Sequence, residues 1–379
     1  MNVGSTDESI YLNHAGTSWP TPTRVTDAVV DAMRSHPAQW PERFEKAHAA
    51  VCRFFGVADP DQLLLTPGCT SSLSTAIANV DLPAGSRVLT SQWEHHAVYG
   101  PLQKLAGNGV AVEVITAGDD SPMDLAALEQ SLAAKDVGLV AVTAACNVTG
   151  DLLPIEKIIE LSHRYDAMVL IDAAQIVGWV DLNLHQLGAD MVAFGGHKGL
   201  QAPWGIGGLY VAASAKLKCA TAQCAIPDRN AGAVDQQWQS RPGYCDVGSV
   251  DQFSMAGLAA SLDRLGDTTR LHDLEIAREK VSRLRKTLVR NQRVTLHGMV
   301  EDNRRLPTIA FAVDGETIGQ SAERLRQHGL IVGSGFQCSP LSHETMGTSE
   351  FGLVRISVGV RQSENEIALV DERLREFEG

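Results

Sequence analysis

Short apolar runs alternate with amphipathic stretches through the first two thirds of the chain, and this alternation constrains the fold more than any other feature. Seven runs read as buried strands: Leu63–Leu65, Arg87–Thr90, Val112–Ile115, Gly138–Val142, Ala167–Ile171, Met191–Phe194 and Gly208–Val211. Helical patterns lie between them at Ser71–Asn79, Gly100–Ala106, Leu125–Leu132 and Ile155–His163. Each is about the length that a crossover between parallel strands requires. The pattern predicts a doubly wound α/β domain. After about Met255 it changes to a charged helical stretch (Leu271–Arg290), strand-like Thr308–Val313, a helix over Ile318–His328, strand-like Val354–Val358 and a last helix from Glu364. This reads as a smaller α+β domain, and 379 residues suit one large and one small lobe.

Charge and cysteine content narrow the function classes. The net charge of −13 disfavours a nucleic-acid or anionic-membrane partner. No stretch approaches the ~20 apolar residues of a membrane helix, and the N-terminus lacks the basic-then-apolar pattern of a signal peptide. Seven irregularly spaced cysteines argue against a disulfide framework and for a reducing cytoplasm. Cys219 and Cys224 are close in sequence but make a poor zinc motif, so no metal is expected.

Open α/β sheets place ligands beyond the carboxyl ends of their strands, where several reactive residues fall here. Asp172 ends the apolar run Met168–Ile171; an Asp at a strand tip is most often a cap or turn, and a metal ligand or a cofactor partner are the other readings. Lys198 follows another buried strand among glycines and beside His197, which suits an amine of lowered pKa. The two together suggest an imine-forming lysine and an acid that keeps a pyridine nitrogen protonated. The turn Pro67-Gly68-Cys69-Thr70 lies between a strand and a helix, where free N–H groups and the helix dipole favour a phosphate; an ordinary helix cap is the other reading. His95, in Gln92-Trp93-Glu94-His95-His96, can stack on an aromatic ring and relay protons.

Taken together, these elements resemble pyridoxal-phosphate enzymes of fold type I, specifically the class V aminotransferase superfamily and within it the cysteine desulfurases. The order of phosphate turn, EHH, NVTG, DAAQ, GGHKG and a late Cys and Arg carries the resemblance, from Tyr11 to beyond Val354. It implies a mostly parallel seven-stranded sheet, a large domain over 17–256, and a small domain from 1–16 with 257–379. It implies pyridoxal 5'-phosphate on Lys198, with His197 at the phosphate, Asp172 at the ring nitrogen and Gln175 at the ring hydroxyl. His95 would stack on the ring and move protons, and Cys69 (through its backbone) and Thr70 would hold the phosphate. Ser249 would reach the phosphate from the partner subunit of a homodimer. Asn147 and Arg355 would orient the substrate, Arg355 by a forked contact to its carboxylate.

Cys338 matches the desulfurase cysteine that takes sulfur from L-cysteine as a persulfide, leaving alanine, before a sulfur-acceptor protein receives it. Gly333, Gly335 and the nearby serines suggest a mobile loop around it. Some positions depart from the family pattern: Gly195 stands where a hydroxyl residue is usual, Asn13-His14 where Asp-Asn is, and Gln337 where His is common. An Arg expected near His48 is absent, and the segment Cys224–Ser240 is not recognisable. A selenocysteine lyase, another C–S lyase, an aminotransferase or a non-catalytic sulfur-transfer scaffold remain alternatives.

Overall fold

The computed structural model of the protein describes residues 9–134, 136–218, 251–266, 270–299 and 301–377. The chain opens with β1 (Ile10–Leu12), α1 (Thr23–Arg34) and α2 (Trp40–Phe54). There follow β2 (Leu63–Thr66), α3 (Cys69–Asn79), β3 (Arg87–Ser91), α4 (His96–Gly107), β4 (Ala111–Ile115) and α5 (Leu125–Leu132). Next come β5 (Val137–Thr143), α6 (Ile155–Arg164), β6 (Met168–Asp172), α7 (Leu184–Leu187), β7 (Met191–Gly195) and β8 (Gly207–Val211). The remainder holds α8 (Gln252–Gly266), α9 (Arg270–Leu288), β9 (Val294–His297), β10 (Thr308–Val313) and α10 (Ile318–Gln327). It ends with β11 (Leu330–Gly335), α11 (Pro340–Thr345), β12 (Leu353–Ser357) and α12 (Glu364–Glu376).

Strands β2 to β8 form one seven-stranded sheet in the order β2-β8-β7-β6-β5-β3-β4. The pairs among β3 to β7 are parallel, and β8 alone runs against its neighbours β7 and β2. Every residue of β6 and β7 is buried. Helices cover both faces of such a sheet, so its central strands are apolar without alternation. The crossover helix α6 supplies one such cover: Ile155, Ile158, Ile159 and Ser162 are buried at helical spacing, with charged residues opposite. The strand ends at Thr66, Ser91, Thr143, Asp172 and Gly195 share one edge of this mostly parallel sheet, as the expected fold requires.

A second sheet has the order β1-β11-β12-β10-β9 and is antiparallel except for β1 on β11. Leu12, Leu284, Phe311, Ile356 and Val370 belong to its own core, capped by α9 and α12. Helix α8, which the expected boundary at 256/257 would divide, packs on α1 and α2 and sends Leu258, Leu262 and Leu265 into the core of the large sheet. No helix among the described residues is long and apolar enough to cross a membrane.

Candidate active site

At the end of β2 the chain turns sharply into α3. Thr66 Oγ1 donates to Gly68 O at 3.0 Å and lies 2.8 Å from Ser72 Oγ, which ties the turn to the first helical turn. The helix begins with Ser72 N donating to Gly68 O at 3.1 Å. The N–H groups of Cys69, Thr70 and Ser71 precede that bond and have no partner within the helix. All three residues line a cavity of about 510 Å³ at the carboxyl edge of the large sheet.

Asp172, Gln175, His197 and Lys198 line the same cavity. Asp172 is buried; its Oδ1 accepts from Ala174 N at 2.9 Å and from Cys69 Sγ at 3.3 Å. Lys198 is partly exposed to the cavity, and burial in the fold pushes its ammonium below the usual value near 10.5, an effect the Asp172 carboxylate opposes. The Cys69 thiol is pushed well above 9.0, chiefly by burial and then by the Asp172 charge, so it stays protonated and can donate. Burial, then the Lys198 charge, lowers His197 to about 4. Its Nδ1 lies 3.2 Å from Thr17 Oγ1, which also accepts from Trp204 Nε1 at 2.9 Å. Gln175 Nε2 donates to Ala15 O at 3.2 Å.

From β3 the chain delivers His95 as the N-cap of α4, its Nδ1 accepting from Ala97 N at 3.0 Å. The neutral ring then carries its proton on Nε2. Burial and the Lys198 charge hold His95 well below 6.5, so it is neutral at physiological pH. Behind it, Glu94 is fully buried; Oε1 accepts from Ser91 Oγ at 2.5 Å and Thr143 N at 3.0 Å. Burial raises this carboxyl to about 8. Glu94 opens the EHH motif, but a charged residue after a strand reads as solvent-facing, so no role of its own follows from the sequence.

The other wall holds Asn147, Cys338 and Arg355. Arg355, on β12, is buried with no carboxylate in ion-pair range among the described residues. Its Nη1 donates to Asn147 O at 2.6 Å and its Nη2 to Asn13 Oδ1 at 2.7 Å, while Nε has no partner. Burial lowers this guanidinium to about 10. Asn13, noted in the sequence only as a departure, therefore lies behind the cavity wall as a partner of Arg355. Cys338 is exposed, and His96 N donates to its carbonyl at 2.7 Å. Gly333 and Gly335 lie in β11 rather than in a loop. Gly333 is closely approached by the Asn13 side chain, since a Cβ there would lie 2.6 Å from Asn13 Oδ1.

These residues suit a flat, phosphate-bearing aromatic cofactor. The helix start offers unpaired N–H groups for an anion, Asp172 offers a buried carboxylate for a ring nitrogen, and Lys198 offers an amine of lowered pKa. Gly195 leaves its place beside Cys69 bare, so no side chain there contributes a phosphate contact. The cavity thus gathers Cys69, Thr70, His95, Asn147, Asp172, Gln175, His197, Lys198, Cys338 and Arg355. Ser249 and the segment Cys224–Ser240 lie outside the described residues. His48 does not line the cavity; its Nε2 is 2.9 Å from Leu63 O.

Comparison with known proteins gives a consistent result. The family model for aminotransferase class-V matches residues 10–370. A probable cysteine desulfurase of Vibrio cholerae is 29% identical, with 94% of this chain and 91% of the relative covered. One from Chlamydia trachomatis is 28% identical, with 98% and 95% covered. The apo structure of a cysteine desulfurase from Thermococcus onnurineus superimposes with a TM-score of 0.88 at 25% identity, covering 98% of this chain and 95% of that one. A cysteine desulfurase from Escherichia coli shares the fold, with a TM-score of 0.85 at 20% identity over 99% and 96% of the two chains.

Proposed function

The chain belongs to the aminotransferase class-V family, and on that premise we propose that it is a cysteine desulfurase, moving sulfur from L-cysteine to Cys338 and releasing L-alanine. The observation that carries this reading is the convergence of Lys198, Asp172, Arg355 and an exposed cysteine on one cavity. Pyridoxal 5'-phosphate is the family's cofactor, and when bound it supplies an electron sink that makes the bonds at the substrate's α-carbon labile.

The chain's own residues do the rest. The N–H groups of Cys69 and Thr70, with the Thr70 hydroxyl and His197, would hold the phosphate. Lys198 Nζ would hold the cofactor covalently and, as a free amine, would take the proton from the substrate α-carbon. Asp172 would keep the ring nitrogen protonated, and Gln175 would face the ring hydroxyl. The Arg355 guanidinium suits the substrate carboxylate, because its present partners are neutral acceptors that a forked ion pair outcompetes. His95, neutral with its proton on Nε2, is suited to proton transfer at the substrate thiol. Cys338 Sγ attacks the substrate sulfur: the substrate C–S bond breaks, an S–S bond forms, and the α-amino acid leaves with hydrogen where sulfur was. L-Cysteine and the Cys338 thiol thereby become L-alanine and a Cys338 persulfide, with atoms and electrons balanced.

Several finer points belong to the same proposal. The exposure of Cys338 supports hand-over of sulfur to an acceptor protein. Trp204, 71% exposed while lining the cavity, supports a homodimer that covers the cavity mouth and brings in Ser249. Free thiols at Cys52, Cys69, Cys146 and Cys338 support a reducing cytoplasm. We take the large domain as 17–256 and the small one as 1–16 with 257–379, the end of α8 crossing that boundary to pack on the large-sheet core. The deciding experiment is a single turnover of the cofactor-loaded protein with L-cysteine. Stoichiometric alanine with labile sulfur on Cys338, both absent in Cys338→Ser, is expected. Undiminished alanine release by Cys338→Ser would sink the mechanism, and pyruvate with free sulfide would identify a C–S lyase instead.

A further inference from the structure

Gly195 offers the phosphate end of the cavity no side chain, which leaves more to the His197 ring and to which of its nitrogens carries the proton. A Cβ placed on Gly195 would lie 3.7 Å from Cys69 N and 3.9 Å from His197 Cδ2. The Cδ2–Nε2 edge of the ring therefore faces the phosphate turn. The other nitrogen, Nδ1, is turned to Thr17 Oγ1 at 3.2 Å. Trp204 Nε1 can only donate, and it fills one lone pair of that hydroxyl at 2.9 Å. The hydroxyl proton then has two acceptors in reach, His197 Nδ1 and, at 3.1 Å, His197 O. The carbonyl already accepts from Ser18 N at 2.9 Å, whereas Nδ1 has no second partner among the described residues. A neutral ring whose Nδ1 accepts carries its proton on Nε2, the nitrogen on the side of the phosphate turn. Thr17 is itself fixed: its N donates to Asn13 O at 3.2 Å, and its carbonyl accepts from Tyr11 Oη at 3.1 Å.

We propose that Thr17 is a positioning residue for His197: its hydroxyl, oriented by Trp204, holds the ring so that an N–H points at the cofactor's phosphate. Thr17 does not line the cavity, so it acts through the histidine and not on a ligand. Trp204 does line it and packs on the imidazole, with ring centroids 5.1 Å apart and planes at 49°. Burial and the Lys198 charge keep the ring neutral. The choice of nitrogen matters only in that state, since an imidazolium donates from both. Ser18, next in the strap, donates from N to His197 O and from Oγ to Lys198 O at 2.7 Å. One dipeptide thus holds both the ring and the backbone that carries the lysine. The inference rests on the reading of this cavity as the cofactor's site; it does not depend on which amino acid is the substrate.

The test uses the full-length protein freed of cofactor, with binding of pyridoxal 5'-phosphate and of pyridoxal measured by equilibrium dialysis. The two probes differ only in the phosphate. Thr17→Val keeps the shape of the side chain and removes the hydroxyl. It should weaken binding of the phosphate form roughly tenfold, the scale of one net hydrogen bond, and leave pyridoxal within about twofold. Thr17→Ser restores the hydroxyl and should bind both probes as the parent does. Trp204→Phe keeps a ring against His197 but loses the N–H, and should weaken the phosphate form about two- to fivefold, again without effect on pyridoxal. A role confined to the shape of the strap would weaken both probes alike; that result in Thr17→Val, or no change with either probe, would overturn the proposal. If Thr17→Val does not fold, Trp204→Phe decides alone: a loss confined to the phosphate form supports the proposal, and an equal loss or none overturns it. A parent protein that bound the two probes equally would overturn the proposal together with the reading of the phosphate site, whereas a non-selective loss in the variants overturns the proposal alone.

Discussion

Replacing Glu94 with Gln should flatten the dependence of folding stability on pH between about 5 and 8. Glu94 has no exposed surface, and burial lifts its carboxyl from 4.5 to about 8 despite the bonds from Ser91 and Thr143 that favour the anion. A raised folded-state value means that the folded chain keeps a proton which the unfolded chain gives up. The stabilisation from this group is therefore complete below pH 4.5 and is lost as pH rises through about 8. Integrated from pH 5 to 8 at ~1.36 kcal/mol per unit, the loss is on the order of 3 to 4 kcal/mol. Gln keeps the shape and still accepts from Ser91 Oγ and Thr143 N, but it cannot ionise. Its amide nitrogen occupies the place of Oε2, which has no partner, at a cost of about 1–3 kcal/mol. The two stability curves should cross, with the parent favoured near pH 5 and Glu94→Gln favoured at pH 8. Urea unfolding followed by tryptophan fluorescence at half-unit pH steps measures both curves. Parallel curves would show that Glu94 is ionised in the fold and would refute the assignment.

Two further substitutions probe the cavity directly. Lys198→Ala should abolish covalent retention of the cofactor, read as the absence of cofactor mass on the chain after borohydride reduction, and lower turnover about 10²–10⁴-fold through loss of the proton carrier. Arg355→Lys should raise KM for the amino acid with a smaller change in kcat, because a point ammonium cannot reproduce the forked contact.

The large sheet was legible because its central strands are continuous apolar runs. Strands β6 and β7 lie within a residue or so of the runs Ala167–Ile171 and Met191–Phe194. The small sheet was only half legible. Strand β1 is three residues long, and β11 contains two glycines, so neither shows a period. The same glycines invited a reading of mobility around Cys338, whereas Gly333 answers to the packing of Asn13. Reactive residues at strand tips were readable because the sheet's geometry dictates where a ligand sits. The burial of Glu94 and the bond from Asn147 Nδ2 to Gln337 O were not, because they depend on segments nearly 50 and 200 residues away.

The parallel pairing of β1 with β11 joins Ile10–Leu12 to Leu330–Val332. Ala15 and Gly16, which follow β1, form part of the cavity wall. On the ribosome, Lys198 and Asp172 are made long before the strand that gives β1 its place. At about 5–20 residues per second the interval between Lys198 and Val332 is roughly 7–27 s. Throughout it the nascent chain has its lysine but lacks one side of the pocket, so firm capture of the cofactor is a late event, timed by the arrival of β11.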